Sequence, residues 1–182
     1  MIWLTGGPGC SSLLALMMEN GPCSVKDDMT LKNNPFSWNS NANIMWIDQP
    51  AGVGFSYGDV SEYDTNEKMV GDDMYHFLQA FFTAHPAYNK NPFYVFGESY
   101  GGHYVPAVAY RIFTGNQQVK QNMTNDVHIP LAGMGIGNGL TDPALQYPLY
   151  PEMAFKNTYN IKAVSQTVYS TMKAYVFEYY YL

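Results

Sequence analysis

Positive charge is scarce in this chain. Nine Lys and Arg are scattered through 182 residues without a run, against fifteen Asp and Glu, for a net charge of −6. Nucleic acid is therefore excluded as an expected partner, because gripping phosphates needs clustered Lys and Arg. Long apolar runs are missing as well. No stretch approaches the roughly 18 residues that read as a membrane span, so no membrane partner is expected. Cysteine is limited to Cys10 and Cys23, too few for a disulfide framework. A bridge involving either is possible, with partners unknown, but not demanded. A leader is also missing: Met1 is followed at once by Ile-Trp-Leu and a glycine-rich loop, which is not a signal peptide. An expected buried strand at the first residue implies that the native N-terminus lies upstream.

Apolar side chains are plentiful. They make up 47% of the chain while charged residues make up 13%, the balance of a folded domain with a core. The length suits one domain, and nothing in it sets an oligomeric state. Asn122-Met123-Thr124 is a glycosylation sequon, usable if the protein enters the secretory pathway.

Short apolar runs alternate with longer helical stretches, which predicts an α/β domain with a mainly parallel sheet and flanking helices. The expected strands are Ile2–Leu4, Ile44–Ile47, Phe93–Phe96 and Leu131–Ile136, apolar enough for burial on both faces. Val70, Met74, Phe77, Leu78, Phe81 and Phe82 recur at helical spacing and predict a helix over Glu67–Ala84, closed by Pro86. Further helices are expected over Ser11–Met18 and from Ser99 towards Thr114, with Pro106 kinking the latter or marking its start. Asp142 to Pro151 reads as turns, and Asn160–Leu182 as one amphipathic helix. The division expected is 1–151 for the core and 152–182 for the start of a helical insertion.

Gly97-Glu98-Ser99-Tyr100-Gly101 follows the third strand directly. It fits G-x-S-x-G, a turn that lifts a serine hydroxyl out of a sheet, with glycines where side chains would strike neighbouring strands. Trp3-Leu4-Thr5-Gly6-Gly7-Pro8-Gly9-Cys10-Ser11-Ser12 also joins a strand to a helix. Its free N–H groups can stabilise an oxyanion. It lacks the Lys of a P-loop and the G-x-G-x-x-G of a dinucleotide site. No metal and no cofactor are expected.

These two segments, with Asp48-Gln49-Pro50-Ala51-Gly52-Val53-Gly54-Phe55-Ser56-Tyr57 between them and the extension Gly102-His103-Tyr104-Val105-Pro106, resemble the serine carboxypeptidases in motif and in order. Gly135-Ile136-Gly137-Asn138-Gly139 resembles the family's next strand end. The resemblance implies an α/β-hydrolase fold, here incomplete, and release of single C-terminal residues from peptides or proteins through an acyl-enzyme. It implies a lysosomal, vacuolar or secreted setting. It assigns Ser99 as nucleophile, Gly7 and Tyr100 as donors of oxyanion N–H groups, and Trp3, Gly6 and Glu98 to the substrate carboxylate. Thr5 stands where most members carry Asn, and its shorter hydroxyl keeps one donor. A carboxyl at Glu98 facing a substrate carboxylate must share a proton with it, so peptide cleavage is expected to favour acid.

Ser99 needs a base, and on this fold the order is Ser, then Asp or Glu, then His. His76 and His85 precede it. His103 lies one helical turn on, along a helix leading away. His128 lies at the entering end of a strand, whereas such sites lie at the leaving ends. None suits the role, so the chain is expected to be a fragment ending before its Asp and His. Alone it is expected to be inactive and poorly soluble through an open sheet edge. The alternatives are a carboxypeptidase-like acyltransferase or esterase, and a non-catalytic truncated protein.

Overall fold

The computed structural model describes residues 1–181, with side chains through Glu178. They divide into two units, Met1–Gly139 and the residues from Leu140 onward.

In the first unit, four strands form one parallel sheet in the order β4-β1-β5-β6. These are β1 (Ile2–Leu4), β4 (Met45–Trp46), β5 (Phe93–Glu98) and β6 (Leu131–Gly137). All four sequence-predicted strands are present, the second one trimmed to two residues. A two-stranded antiparallel ribbon, β2 (Cys23–Val25) with β3 (Leu31–Asn33), was not anticipated from sequence. Its strands are mostly exposed and carry no apolar alternation, so its register comes from the turn at Asp27–Met29, where Met29 takes φ +63°.

Helix α1 covers Leu13–Met18, α2 Glu67–Ala84 and α3 Gly101–Lys120. The Asn66 side chain caps α2 by accepting the Met69 N–H, and burial falls on Val70, Met74, Leu78 and Phe82. These residues meet Ile2, Leu4, Phe93 and Val95 from alternate positions of β1 and β5, and Val105, Val108 and Ile112 of α3. Helix and strand periods thus converge on one sheet face. On the other face Trp3 packs edge-to-face on Trp38, with ring centroids 5.3 Å apart, and Trp38 on Phe96 at 5.9 Å. Tyr94 remains exposed there, and Met134, in register with Val95, is exposed on the first face, so burial on both faces does not hold along β5 and β6 among the described residues.

Helix α3 follows Ser99 as expected but departs from expectation at Pro106 and at its C-terminal end. It begins after the Ser99 turn, carries Pro106 inside a continuous helix, and runs six residues past Thr114. Gly115 and Asn116 resemble a stop, yet each is used in packing. A Cβ at Gly115 would lie 2.5 Å from the Tyr75 ring. The Asn116 amide donates to the Ile129 carbonyl at 2.7 Å and accepts its N–H at 2.9 Å.

The regular α-elements of the second unit are α4 (Pro143–Gln146), α5 (Tyr150–Phe155) and α6 (Gln166–Tyr181), with irregular chain over 156–165. Asp142–Pro151 is therefore largely short helix rather than turns. Pro143 and Pro151 sit in first helical turns, where no N–H is needed. Helix α6 starts six residues later than expected, where Ser165 accepts the Val168 N–H. Leu182 lies outside the described residues. Phe155 stacks on Tyr169 at 4.8 Å, and the Tyr169 hydroxyl donates to Glu152 at 2.6 Å. No helix among the described residues is long and apolar enough to cross a membrane.

Candidate active site

Strand β1 ends at Leu4 beside Gly97 of β5, and Glu98 of β5 lies opposite Gly137 of β6. The leaving ends of three neighbouring strands therefore define one edge, and Ser99 stands on it. Its φ is +55°, a left-handed conformation that costs a non-glycine residue about 1–3 kcal/mol. Three constraints hold it there. The Ser99 N–H donates to the Gly137 carbonyl at 3.0 Å. A Cβ at Gly97 would run into the Leu4 carbonyl oxygen, and one at Gly101 would lie 3.0 Å from that same oxygen. The two glycines flanking the serine let the turn close over β1, and the Ser99 side chain is left exposed.

The glycine-rich loop is seated against this turn. A Cβ on Gly6 would collide with the backbone nitrogen of Tyr100, and would lie 2.7 Å from the Glu98 carbonyl and 2.9 Å from the Ser99 Cβ. Gly7 takes φ +118°, a value side chains rarely adopt. Helix α3 points its N-terminus at the same place, adding a favourable field for negative charge.

Other contacts hold the loop. The Thr5 N–H donates to the buried Ser12 hydroxyl at 3.1 Å, the Gly9 N–H to the Tyr104 hydroxyl at 3.3 Å, and the Cys10 N–H to the Gly6 carbonyl at 3.1 Å. Asp48 ties in the middle motif. It accepts from the Ser11 hydroxyl at 2.6 Å and the Phe55 N–H at 2.9 Å. Burial pushes its carboxyl up, but these donors and the N–H groups of Leu13 and Ser12 outweigh that and leave it below its ordinary value.

The residues expected to meet a carboxylate differ in exposure. Trp3, Thr5 and Gly6 are buried, and the Trp3 indole N–H donates to the Thr5 hydroxyl at 3.1 Å. Glu98 is half-buried. Beside it stands Glu19, which no motif marked. Burial, then the charge of Glu98, then a hydrogen bond to Glu98 hold the Glu19 carboxyl above the usual range. Glu19 is an isolated acid at the end of an apolar helix, and only the fold brings it to the elbow.

Among the described residues, no histidine hydrogen-bonds the Ser99 hydroxyl. His103 stacks on Tyr100 with centroids 4.5 Å apart, His76 is exposed on α2, His85 follows α2, and His128 is exposed before β6. Cys10 and Cys23 are free thiols, and Asn122 sits exposed at the end of α3 with φ +55°.

A sequence model described as serine carboxypeptidase matches residues 1–180. The chain is 52% identical over 157 residues to serine carboxypeptidase-like 49 of Arabidopsis thaliana, covering 86% of this chain and 30% of that protein. It is 49% identical over 158 residues to serine carboxypeptidase 3 of Hordeum vulgare, again covering 86% and 30%. Among solved structures it resembles Kex1(delta)p, a prohormone-processing carboxypeptidase from Saccharomyces cerevisiae. The TM-score is 0.78 at 30% identity, covering 96% of this chain and 38% of that one. The chain thus spans about a third of the length of the relatives it matches.

Proposed function

The chain belongs to the serine carboxypeptidase family and carries part of an α/β-hydrolase core, and on that premise we propose that the complete protein removes single C-terminal residues from peptides. The observation that carries this is the seating of Gly6, the residue before Gly7, against Ser99 and Tyr100, which supports an oxyanion pocket beside an exposed serine. The Ser99 Oγ attacks the scissile carbonyl carbon, and its proton passes to a base. The carbonyl oxygen becomes an oxyanion stabilised by the N–H groups of Gly7 and Tyr100. The C–N bond then breaks, the leaving amine takes the proton from the base, and water hydrolyses the acyl-Ser99 ester. In this reading the base is a histidine, oriented by a carboxylate, from the part of the longer protein outside this chain.

Exopeptidase action requires recognition of a free C-terminal carboxylate. Glu98 and Glu19 suit this: a carboxyl pair that retains one proton donates a hydrogen bond to a substrate carboxylate instead of repelling it. The Thr5 hydroxyl and the Gly6 backbone complete that side, with Trp3 as its wall. One observation favours the rival chemistry of ester cleavage or acyl transfer: the Trp3 indole N–H is already engaged by Thr5. Hydrolysis of a blocked dipeptide by the intact protein, compared with its C-terminal amide, separates the two. Preference for the free acid supports the carboxypeptidase, and indifference supports the rival. Loss of both activities in Ser99→Ala tests the nucleophile.

A further inference from the structure

A cavity of mixed polar and apolar lining lies between the loop after β4 and the first turns of α2. Its volume is about 240 Å³, below the ~300 Å³ at which small-molecule sites begin, so it suits a single side-chain-sized group. Ile47, Pro50, Met74 and Phe77 supply an apolar wall, and Gln49, Asp64 and Asp73 line it as well. Gln49 is 6% exposed, and neither atom of its amide has a hydrogen-bond partner among the described residues. One buried oxygen of Asp64 and one of Glu67 lack a partner too. Buried polar atoms left this way cost about 1–3 kcal/mol each, so a ligand that donates to the oxygens among them gains affinity from relieving that part of the cost.

The sign of the charge narrows the ligand. No Lys, Arg or His lines the cavity. Asp48, the remaining acid on the lining, is engaged by Ser11 and Phe55, and the neighbouring Lys68 and Arg111 both pair with Asp72. Asp64 is pushed up to about 6, first by burial and then by the charges of Asp73 and Glu67. These acids therefore call for positive charge, and the Gln49 amide oxygen accepts a further donor. No group of three or more acids, His or Cys among the described residues converges on a metal ion. Spread acceptors beside an apolar wall fit a planar fork of donors on an alkyl stem. We infer that this cavity is a binding site for an alkylguanidinium group, with Asp64, Asp73 and the Gln49 amide oxygen as its acceptors. The group is either an arginine side chain of the longer protein or a free guanidinium compound. Glu67, outside the cavity lining but close enough for its charge to raise Asp64, accepts the Tyr100 hydroxyl of the elbow at 3.1 Å.

The test uses the intact protein and n-butylguanidinium, with n-butylurea as the uncharged isostere. If the group is free in solution, n-butylguanidinium tenfold above its Kd raises Tm by about 3 °C. Butylurea then has no effect, and Asp64→Asn and Gln49→Leu abolish the shift. If an arginine of the protein occupies the site, neither compound acts, Asp64→Asn lowers Tm at pH 7, and Asp64 titrates below pH 4 by carboxyl NMR. That titration needs no variant. The inference is overturned if neither compound acts while Asp64 titrates near 6 and Asp64→Asn raises Tm, the behaviour of a bare, self-repelling cluster.

Discussion

Replacing Gly6 with alanine adds one methyl group at the point where the glycine-rich loop meets the elbow. That methyl would collide with the Tyr100 nitrogen and stand 2.7 Å from the Glu98 carbonyl and 2.9 Å from the Ser99 Cβ. Two of these are backbone atoms, and the third belongs to a residue held at φ +55°, so none can swing aside as a flexible side-chain end would. The loop must move instead, carrying Gly7 away and masking the Tyr100 N–H. Loss of one oxyanion donor costs about 10²–10³ in kcat, and overpacking costs about 1–3 kcal/mol of stability. The assay is hydrolysis of a blocked dipeptide by the intact protein, with circular dichroism to verify folding. Gly133→Ala is the control, since its Cβ meets Tyr94 at an ordinary 3.4 Å. A folded Gly6→Ala enzyme with kcat within about twofold of wild type would refute this reasoning.

The Glu19–Glu98 pair gives a signed pH dependence. Because the Glu19 carboxyl is held above its ordinary value, the pair keeps its proton at acid pH and loses it as pH rises. KM for a free-acid peptide is then expected to climb above that pKa, while Glu98→Gln flattens the climb and a peptide amide never exhibits it; a KM unchanged with pH would exclude the pair from carboxylate recognition. Asn116→Ala should cost about 1–3 kcal/mol in urea unfolding, because it strands the N–H of fully buried Ile129, whose carbonyl keeps only the Leu131 N–H. Gly115→Ala should lower stability although alanine is the better helix former by about 1 kcal/mol, since its Cβ strikes the Tyr75 ring; a stabilised variant would mean that the ring shifts freely.

The parts legible in the sequence were those in which local chemistry and fold coincide. The β5–Ser99–α3 turn was marked by its two glycines, because both must clear the same Leu4 carbonyl. Helix α2 was marked by a clean 3.6 period and a closing proline. Other features depend on distant partners. Gly115 and Asn116 look like a helix stop until Tyr75 and Ile129 are brought beside them. Glu19 is an unremarkable acid until the fold sets it against Glu98. The β2–β3 ribbon has no apolar face to announce it, and the prolines at 143 and 151 start helices rather than break them.

The central claim is that Ser99 is an activated nucleophile, and mapping a fluorophosphonate adduct on the intact protein tests it most directly. Peptide mass spectrometry is expected to locate the adduct on Ser99, with labelling abolished in Ser99→Ala and slowed in Gly6→Ala. An adduct on another serine, or no adduct on a folded protein that still cleaves peptides, would contradict it.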